Sequence, residues 1–207
     1  AGGFFRSAPH EPPPDLQLHL VIGKLLDHGR KTVFGHGYSC HVCLPRPRSR
    51  GSLTLGSADP FAPPRIDPNF LADPDDVRRL VRGFLVMRGI LTQPALADYR
   101  GRELDASGNA RTDAQIEAFV RNHADTIYHP VGTCRMGSDA LAVVDAQLRV
   151  RGLEGLRVAD ASIMPSIVGG NTNAPVIMIG EKASDLLRQA ARPSREPVHV
   201  PAEPLAA

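Results

Sequence analysis

Apolar and polar side chains alternate along residues 16–22, where the leucine or isoleucine at each even position is separated by residues such as Gln17 and His19. A period of two is typical of a strand with one buried face. Residues 38–44 form a second candidate strand, and a third is expected at 53–55 after a turn-like stretch. The first part of the chain is therefore predicted to be rich in strands.

Two helices are predicted further along the chain. Asp73 can cap the first helix, Pro74 suits its first position, and Pro94 ends or kinks it. The second helix opens at Thr112, because Gln115 lies three residues later and completes a capping box. The apolar positions at helical spacing are Val77, Leu80, Val81 and Phe84 in the first helix, and Ile116, Phe119 and Val120 in the second.

The last part of the chain mixes short predicted strands with a final helix. The strands are expected around 143–144 and 156–158, and the helix begins near Asn173, a candidate N-cap, and runs to about Ala191. Residues 192–207 hold four prolines and few large apolar groups, so this tail is predicted to be disordered.

Three further features receive structural interpretations. The prolines between residues 60 and 68 indicate an irregular segment. His123 falls on the apolar face of its helix, which favours a hydrogen-bonded histidine in the core. Arg46, Arg48 and Arg50 lie between prolines, and a solvated turn is favoured there over a phosphate site.

Composition narrows the possible functions. The 207 residues include 24 Lys and Arg against 22 Asp and Glu, a net charge of +2, and aromatic residues make up 5% with no Trp. Nucleic acid is therefore not expected as a partner, since it needs strong positive charge or stacking platforms. No apolar run approaches the roughly 20 residues that cross a bilayer. The chain begins at Ala1, which indicates a processed chain or part of a longer polypeptide.

The cysteines leave one alternative open. Cys40 and Cys43 form a CxxC with His36 just upstream, a spacing found in zinc and redox sites. On a strand, however, residues three apart point to opposite faces, and no second CxxC follows. No metal site is therefore expected, and a thiol or metal module is kept only as an alternative. With Cys134 the count is three, which excludes a full disulfide framework and favours a reducing compartment.

His129 is the strongest candidate for chemistry from the residues themselves. It lies just past a helix, and Pro130 and Gly132 follow it and hold it on a rigid turn. Imidazole titrates at about 6.5, which suits proton transfer near neutral pH. One histidine names no reaction, so a structural and a catalytic role both remain open at this point.

A family resemblance extends this interpretation. Six short stretches, in this order and spacing, resemble the glucose-methanol-choline (GMC) oxidoreductases over about residues 1–190, and most closely the bacterial choline and aliphatic-alcohol dehydrogenases. The stretches are 48–53, 66–71, 129–137, 156–165, 169–175 and 179–183. The implied fold class is α+β, with an antiparallel-sheet substrate domain bearing helices and the C-terminal elements of an FAD-binding α/β domain.

The resemblance also implies a reaction, the oxidation of a primary alcohol to an aldehyde with FAD as cofactor. It assigns the base that takes the hydroxyl proton to His129. It assigns to Asn171 a hydrogen bond to the alkoxide oxygen, in the manner of an oxyanion donor. The residues that it places against FAD are Asp160, Ala161, Thr172, Asn173 and Ala174.

One family feature is absent from the sequence. The G-x-G-x-x-G fingerprint that binds the FAD pyrophosphate does not occur, so the chain resembles only the C-terminal part of the enzyme. Residues 1–128 are predicted to belong to the substrate domain and 129–191 to return to the FAD domain and active site. A missing N-terminal FAD-binding portion is the expected partner, with quinone or oxygen as electron acceptor. The alternative is a non-catalytic truncated product, and the expected location is the cytoplasm, with peripheral contact with the inner membrane left open.

Overall fold

A computed structural model describes residues 1–11, 13–26, 31 and 33–191, apart from the side chains of residues 105 and 106. The strands are β1 (Gly2–Phe5), β2 (Leu16–Val21), β3 (Ser39–Cys43), β4 (Ser52–Thr54) and β5 (Arg65–Asp67). The helices are α1 (Pro74–Leu91), α2 (Asp105–Gly108), α3 (Asp113–His123) and α4 (Asn173–Ala191), with 3-10 turns at Pro94–Tyr99 and Ala161–Ile163. The predicted α+β class with an antiparallel sheet is confirmed.

The main sheet is antiparallel, with strand order β1-β2-β3. Leu18 pairs with Val42 and His19 with His41, so alternate side chains of β2 and β3 share each face. The apolar face carries Leu16, which is fully buried, while Gln17 lies on the opposite face with His19. The predicted period-two strand is confirmed.

Helix α1 packs on the apolar face of the sheet. A Cβ atom on Gly83 would lie 2.8 Å from Val42 Cγ2 and 3.1 Å from Leu16 Cδ1, so only glycine lets the helix approach this closely. Helix α3 packs beside α1, where the rings of Phe84 and Phe119 lie 5.3 Å apart. The buried members of this first core cluster are Phe84, Met87, Ala110, Ile116 and Val120.

The predicted helix starts are confirmed in detail. The Asp73 carboxylate accepts a hydrogen bond from the N–H of Asp75 at 2.8 Å. Thr112 and Gln115 form the reciprocal capping box, with the N–H of Gln115 donating to Thr112 Oγ1 at 3.3 Å and the N–H of Thr112 donating to Gln115 Oε1 at 3.0 Å. Backbone donors at both helix starts are thereby satisfied.

Two secondary-structure predictions were wrong. The stretch 60–68 is not irregular throughout, because β5 lies within it and pairs with β4. Pro64 and Pro68 flank β5 rather than interrupt it, and the ribbon has solvent on both faces. The strands expected at 143–144 and 156–158 are instead isolated bridges, because turns at Gly152 and Gly155, both with positive φ, stop the pairing from extending.

The expected core position of His123 was also wrong. Its ring is exposed, stacks on Phe119 with centroids 4.3 Å apart, and makes a 2.9 Å contact through Nδ1 with the Phe119 carbonyl. His123 ends α3, where a histidine can satisfy the last carbonyls while its other side faces water.

A second core cluster forms around α4. The backbone N–H groups of Cys134 and Met136 donate to the carbonyls of Ser162 and Ile163 at 3.0 and 2.8 Å, which joins two separate stretches of chain. Together they cover the buried side of α4. The buried members of this cluster are Val144, Leu148, Ile163, Met164, Ile179 and Ala183.

Some predictions lie beyond these observations. The tail 192–207, predicted to be disordered, lies outside the described residues. The domain boundaries at 128 and 191 stay predictions. None of the helices among the described residues combines the length and the apolar character needed to cross a membrane.

A buried ion cluster ties α1 to the loop before β4. Asp76 is 1% exposed and accepts hydrogen bonds from the N–H of Arg48 (2.9 Å), from the N–H and hydroxyl of Ser49 (2.8 and 2.6 Å), and from Arg79 (2.7 Å). Burial acts to raise the pKa of Asp76, but these hydrogen bonds and the charge of Arg79 outweigh it and hold the pKa below its usual value.

Asp76→Asn is expected to lower the free energy of unfolding by about 3 kcal/mol near neutral pH, because the buried Arg79 loses its shortest ion pair and keeps those with Asp75 and Asp15, at 3.1 and 3.9 Å. The folded-state pKa of Asp76 is depressed, so this stabilisation is complete above an unfolded pKa of about 3.9 and is lost as the pH falls through the folded value. Thermal unfolding of the protein containing this chain, followed against pH, measures it. Asp185→Asn on the exposed side of α4 is the control, and equal unfolding temperatures for the two variants would contradict the prediction.

Candidate functional site

The backbone around His129 is held in an unusual conformation. Tyr128 has φ 67° and Gly132 has φ 94°, both in the left-handed region, on either side of the rigid Pro130. A Cβ on Gly132 would lie 3.4 Å from the Met164 carbonyl, so this turn packs directly on the second core cluster. The half-buried His129 ring is therefore presented by a stiff loop.

Both nitrogens of the His129 ring have side-chain partners. Nε2 lies 3.0 Å from Nδ2 of Asn171, and Nδ1 lies 2.8 Å from Oγ1 of Thr172. An asparagine NH2 group only donates, so Nε2 is the acceptor and carries the lone pair. In the neutral ring the proton then sits on Nδ1 and is donated to the Thr172 hydroxyl. The arrangement presents a basic nitrogen beside a hydrogen-bond donor.

Asn171 and Thr172 immediately precede α4. Thr172 is buried, and its carbonyl accepts the first helical hydrogen bond, from the N–H of Val176 at 3.0 Å. Asn173 is the first residue of the helix, so the expected N-cap at Asn173 was wrong by one residue, and Thr172 holds that position. Its hydroxyl binds His129 instead of capping α4. The exposed Asn173 and Ala174 form the first turn, which holds no acidic residue.

Asp160 and Ala161 lie on a neighbouring turn. The Asp160 carboxylate accepts a hydrogen bond from the N–H of Ser162 at 2.8 Å and caps the 3-10 turn Ala161–Ile163. Ala161 packs against the second core cluster. The N–H of Cys134 donates to the carbonyl of Ser162 in this turn, so the Asp160 turn and the His129 loop are hydrogen-bonded to each other. The other three residues expected against FAD lie at the start of α4.

The sheet contributes a residue that the sequence interpretation missed. Gln17 of β2 is 8% exposed, and its Nε2 donates to Oδ1 of Asn171 at 3.2 Å. A continuous hydrogen-bonded row of side chains therefore runs from the sheet through Asn171 and His129 to Thr172. The alternation along β2 could have indicated this residue, because it places the polar Gln17 on the face opposite the leucines.

An open cavity of about 450 Å³ lies between the polar face of the sheet and Asn171. Phe4, Gln17 and His19 line it with the backbone of β1. Burial lowers the pKa of His19 and the charge of His129 lowers it further, so the neutral ring is favoured. His19 thus lines the cavity and lies close enough to His129 to feel its charge.

The two thiols of the CxxC motif lie on opposite faces of the sheet. Cys40 packs on the apolar face against the first core cluster, while Cys43 Sγ lies 3.8 Å from Nε2 of His19 on the polar face. Burial raises the pKa of both thiols, that of Cys43 to about 11, so neither is an activated nucleophile at neutral pH. Within the described part of the chain, no three His, Cys, Asp or Glu side chains are grouped to hold a metal ion.

Comparison with known proteins gives a consistent result. The family model for GMC oxidoreductases, in its C-terminal part, matches residues 47–180. An alcohol dehydrogenase (acceptor) of Pseudomonas putida is 48% identical over 187 residues, which cover 90% of this chain and 34% of that protein. An oxygen-dependent choline dehydrogenase of Escherichia coli is 47% identical, over 91% of this chain and 34% of its own length. The chain spans about a third of these relatives.

Solved structures agree. Pyridoxine 4-oxidase from Mesorbium loti superimposes with a TM-score of 0.83 at 31% identity, over 91% of this chain and 37% of its own. Formate oxidase of Aspergillus oryzae, studied for FAD modification, gives a TM-score of 0.77 at 28% identity, over 88% and 33% of the two chains. The match to the family model covers well over half of the chain and includes the His129 loop, the Asp160 turn and the start of α4. The chain belongs to the GMC oxidoreductase family and corresponds to the C-terminal part of its members.

Proposed function

We propose that this chain is the C-terminal catalytic portion of an FAD-dependent alcohol dehydrogenase that oxidises a primary alcohol to an aldehyde. The observation that carries the proposal is the pairing of His129 Nε2 with the Asn171 amide at 3.0 Å. A hydride leaves an alcohol carbon only as the hydroxyl proton is removed. The reaction therefore needs a base and a hydrogen-bond donor at the same oxygen atom.

His129 and Asn171 can supply these two functions. Nε2 of His129 accepts the hydroxyl proton, and Nδ2 of Asn171 donates to the oxygen as negative charge develops there. As the ring gains its proton, the bond from Nδ1 to the Thr172 hydroxyl becomes charge-assisted and steadies the imidazolium. Before this step, the alcohol oxygen must enter between His129 and Asn171 and replace their direct 3.0 Å contact.

The residues at the start of α4 fit an FAD ring. Bound FAD would supply the hydride acceptor, and its reduced form carries negative charge. The first turn of α4 has no acidic side chain and offers backbone N–H groups at the positive end of a helix dipole. Thr172, Asn173 and Ala174 would hold the ring there, with Asp160 and Ala161 toward the ribityl and phosphate portion.

The remaining FAD-binding portion of such an enzyme would pack on apolar residues that this chain exposes. Ile177 and Met178 of α4 are 60% and 58% exposed, and Val168 beside the site is 45% exposed. Ile177 and Met178 are neighbours on α4, and exposed apolar surface of this kind is typical of interaction sites. The similarity to alcohol and choline dehydrogenases supports a small alcohol as substrate. Quinone or oxygen as electron acceptor stays a prediction.

His129→Ala in the complete flavoprotein is expected to slow flavin reduction by alcohol about a hundredfold to ten-thousandfold, since loss of a positioned base has this effect. Anaerobic stopped-flow absorbance of the flavin measures the rate. His123→Ala is the matched control, because this exposed histidine ends α3 in the helical layer on the opposite face of the sheet. A His129→Ala enzyme that reduces its flavin at the wild-type rate would refute the proposal.

Thr172 is expected to matter through its hydroxyl. Thr172→Val keeps the shape but leaves the Nδ1 proton of His129 without its acceptor, so flavin reduction should slow about tenfold, in line with the loss of one buried hydrogen bond. Thr172→Ser retains the hydroxyl and should restore most of the rate. Equal rates for the two variants in the same stopped-flow assay would show that the hydroxyl does not position His129.

A further inference from the structure

We infer that Gln17 is a positioning residue, which holds the Asn171 amide with its NH2 group turned toward His129 and the substrate oxygen. This inference rests on the proposed function of His129 and Asn171. It assigns part of the catalytic geometry to the sheet, about 150 positions away in sequence from the amide that it orients.

The geometry of Gln17 supports this role. It is a polar side chain 8% exposed on a strand, and its Nε2 lies 3.2 Å from Asn171 Oδ1. Both neighbours in the sheet constrain it, because Gln17 pairs with Phe4 on β1 and with Cys43 on β3. A buried amide needs a hydrogen-bond partner, and its partner here is the amide beside the base.

The orientation of the Asn171 amide decides what it can do. A half-turn about its last bond exchanges a donor NH2 for an acceptor oxygen, at almost no change in shape. Only the observed orientation places a donor where negative charge would develop on the alcohol oxygen. Contact with His129 does not select it, because a protonated Nε2 would bind the oxygen equally well. Gln17 in its observed orientation selects it, because its NH2 group donates and therefore pairs with Oδ1 and not with Nδ2.

The substitution Gln17→Glu should make the orientation of the Asn171 amide depend on pH. The introduced side chain, when its carboxyl is protonated, would donate to Oδ1 as Gln17 does, whereas the carboxylate would accept from Nδ2 and turn Oδ1 toward the substrate. The limiting rate of flavin reduction should therefore fall about a hundredfold, as for loss of one oxyanion donor, as the pH rises through the pKa of the new carboxyl. The wild-type rate should show no such fall over the same pH range.

Other titratable groups near Gln17 are common to both enzymes. They are His129 in its loop, His19 on β2, and Cys43 and His41 on β3, whereas the residues of β1 carry no titratable side chain. Because these groups are present in wild type as well, a descending limb found only in Gln17→Glu belongs to the new carboxyl. Gln189→Glu makes the same chemical change on the exposed side of α4 and should leave the profile unchanged.

The experiment compares Gln17→Glu and Gln17→Met with wild type in the complete flavoprotein, by anaerobic flavin reduction with a primary alcohol across pH. Gln17→Met removes the hydrogen bond without adding a charge, so it should slow the limiting rate about tenfold at every pH, with little change in substrate affinity. In an Asn171→Ala background, Gln17→Met should have no further effect, because the amide that it positions is gone.

Three results would overturn the inference. They are a plateau in the Gln17→Glu profile, an effect of Gln17→Met that persists in full without Asn171, and an effect on affinity alone. Bound flavin, seen in the absorption spectrum, shows that each variant is folded. Failure of the proposed function is a separate outcome, since alcohol would then fail to reduce the wild-type flavin, or His129→Ala would reduce it normally.

Discussion

The arrangement of the site depends on the two hydrogen bonds that grip the His129 ring. Asn171 binds one nitrogen and Thr172 the other, and both belong to the turn that opens α4. An imidazole held at both nitrogens has a defined plane and a defined tautomer, which a ring anchored at one atom lacks. The loop carrying His129 and the start of α4 are packed on one core cluster, so neither end of the pair moves independently of the other.

The two faces of the sheet have different structural roles. The apolar face of β2 and β3 is sealed by α1, at a glycine contact that admits no side chain. The polar face is left for Gln17 and His19 and for the open cavity. The strands thereby hold Gln17 beside Asn171, while the ion cluster around Asp76 fixes α1 to the loop before β4. Sites supported by strands and helices hold their geometry better than sites on loops alone.

Much of this could be predicted from the sequence, for identifiable reasons. The leucines of β2 and the caps at Asp73 and Thr112 are local signals, because their causes lie within a few residues. The expected proximity of His129 and Asn171 came from the family resemblance, since no local pattern links residues 42 positions apart. Gln17 was missed because its partner is distant, and His123 was misplaced because a helix face does not reveal where the helix ends. The predicted strands at 143–144 and 156–158 are isolated bridges, because a short apolar pattern does not show how far the pairing with another segment extends.

The alternation of β2 has one more consequence. A slip of one residue in its pairing would turn the leucines to water and Gln17 into the core, an exchange that costs several kcal/mol of buried apolar surface. The register that buries Leu16 is thus the same register that aims Gln17 at Asn171. Burial of the core residue Leu16 and placement of Gln17 consequently depend on one register. A slip in this register would therefore lose the alignment of Gln17 together with the burial of Leu16.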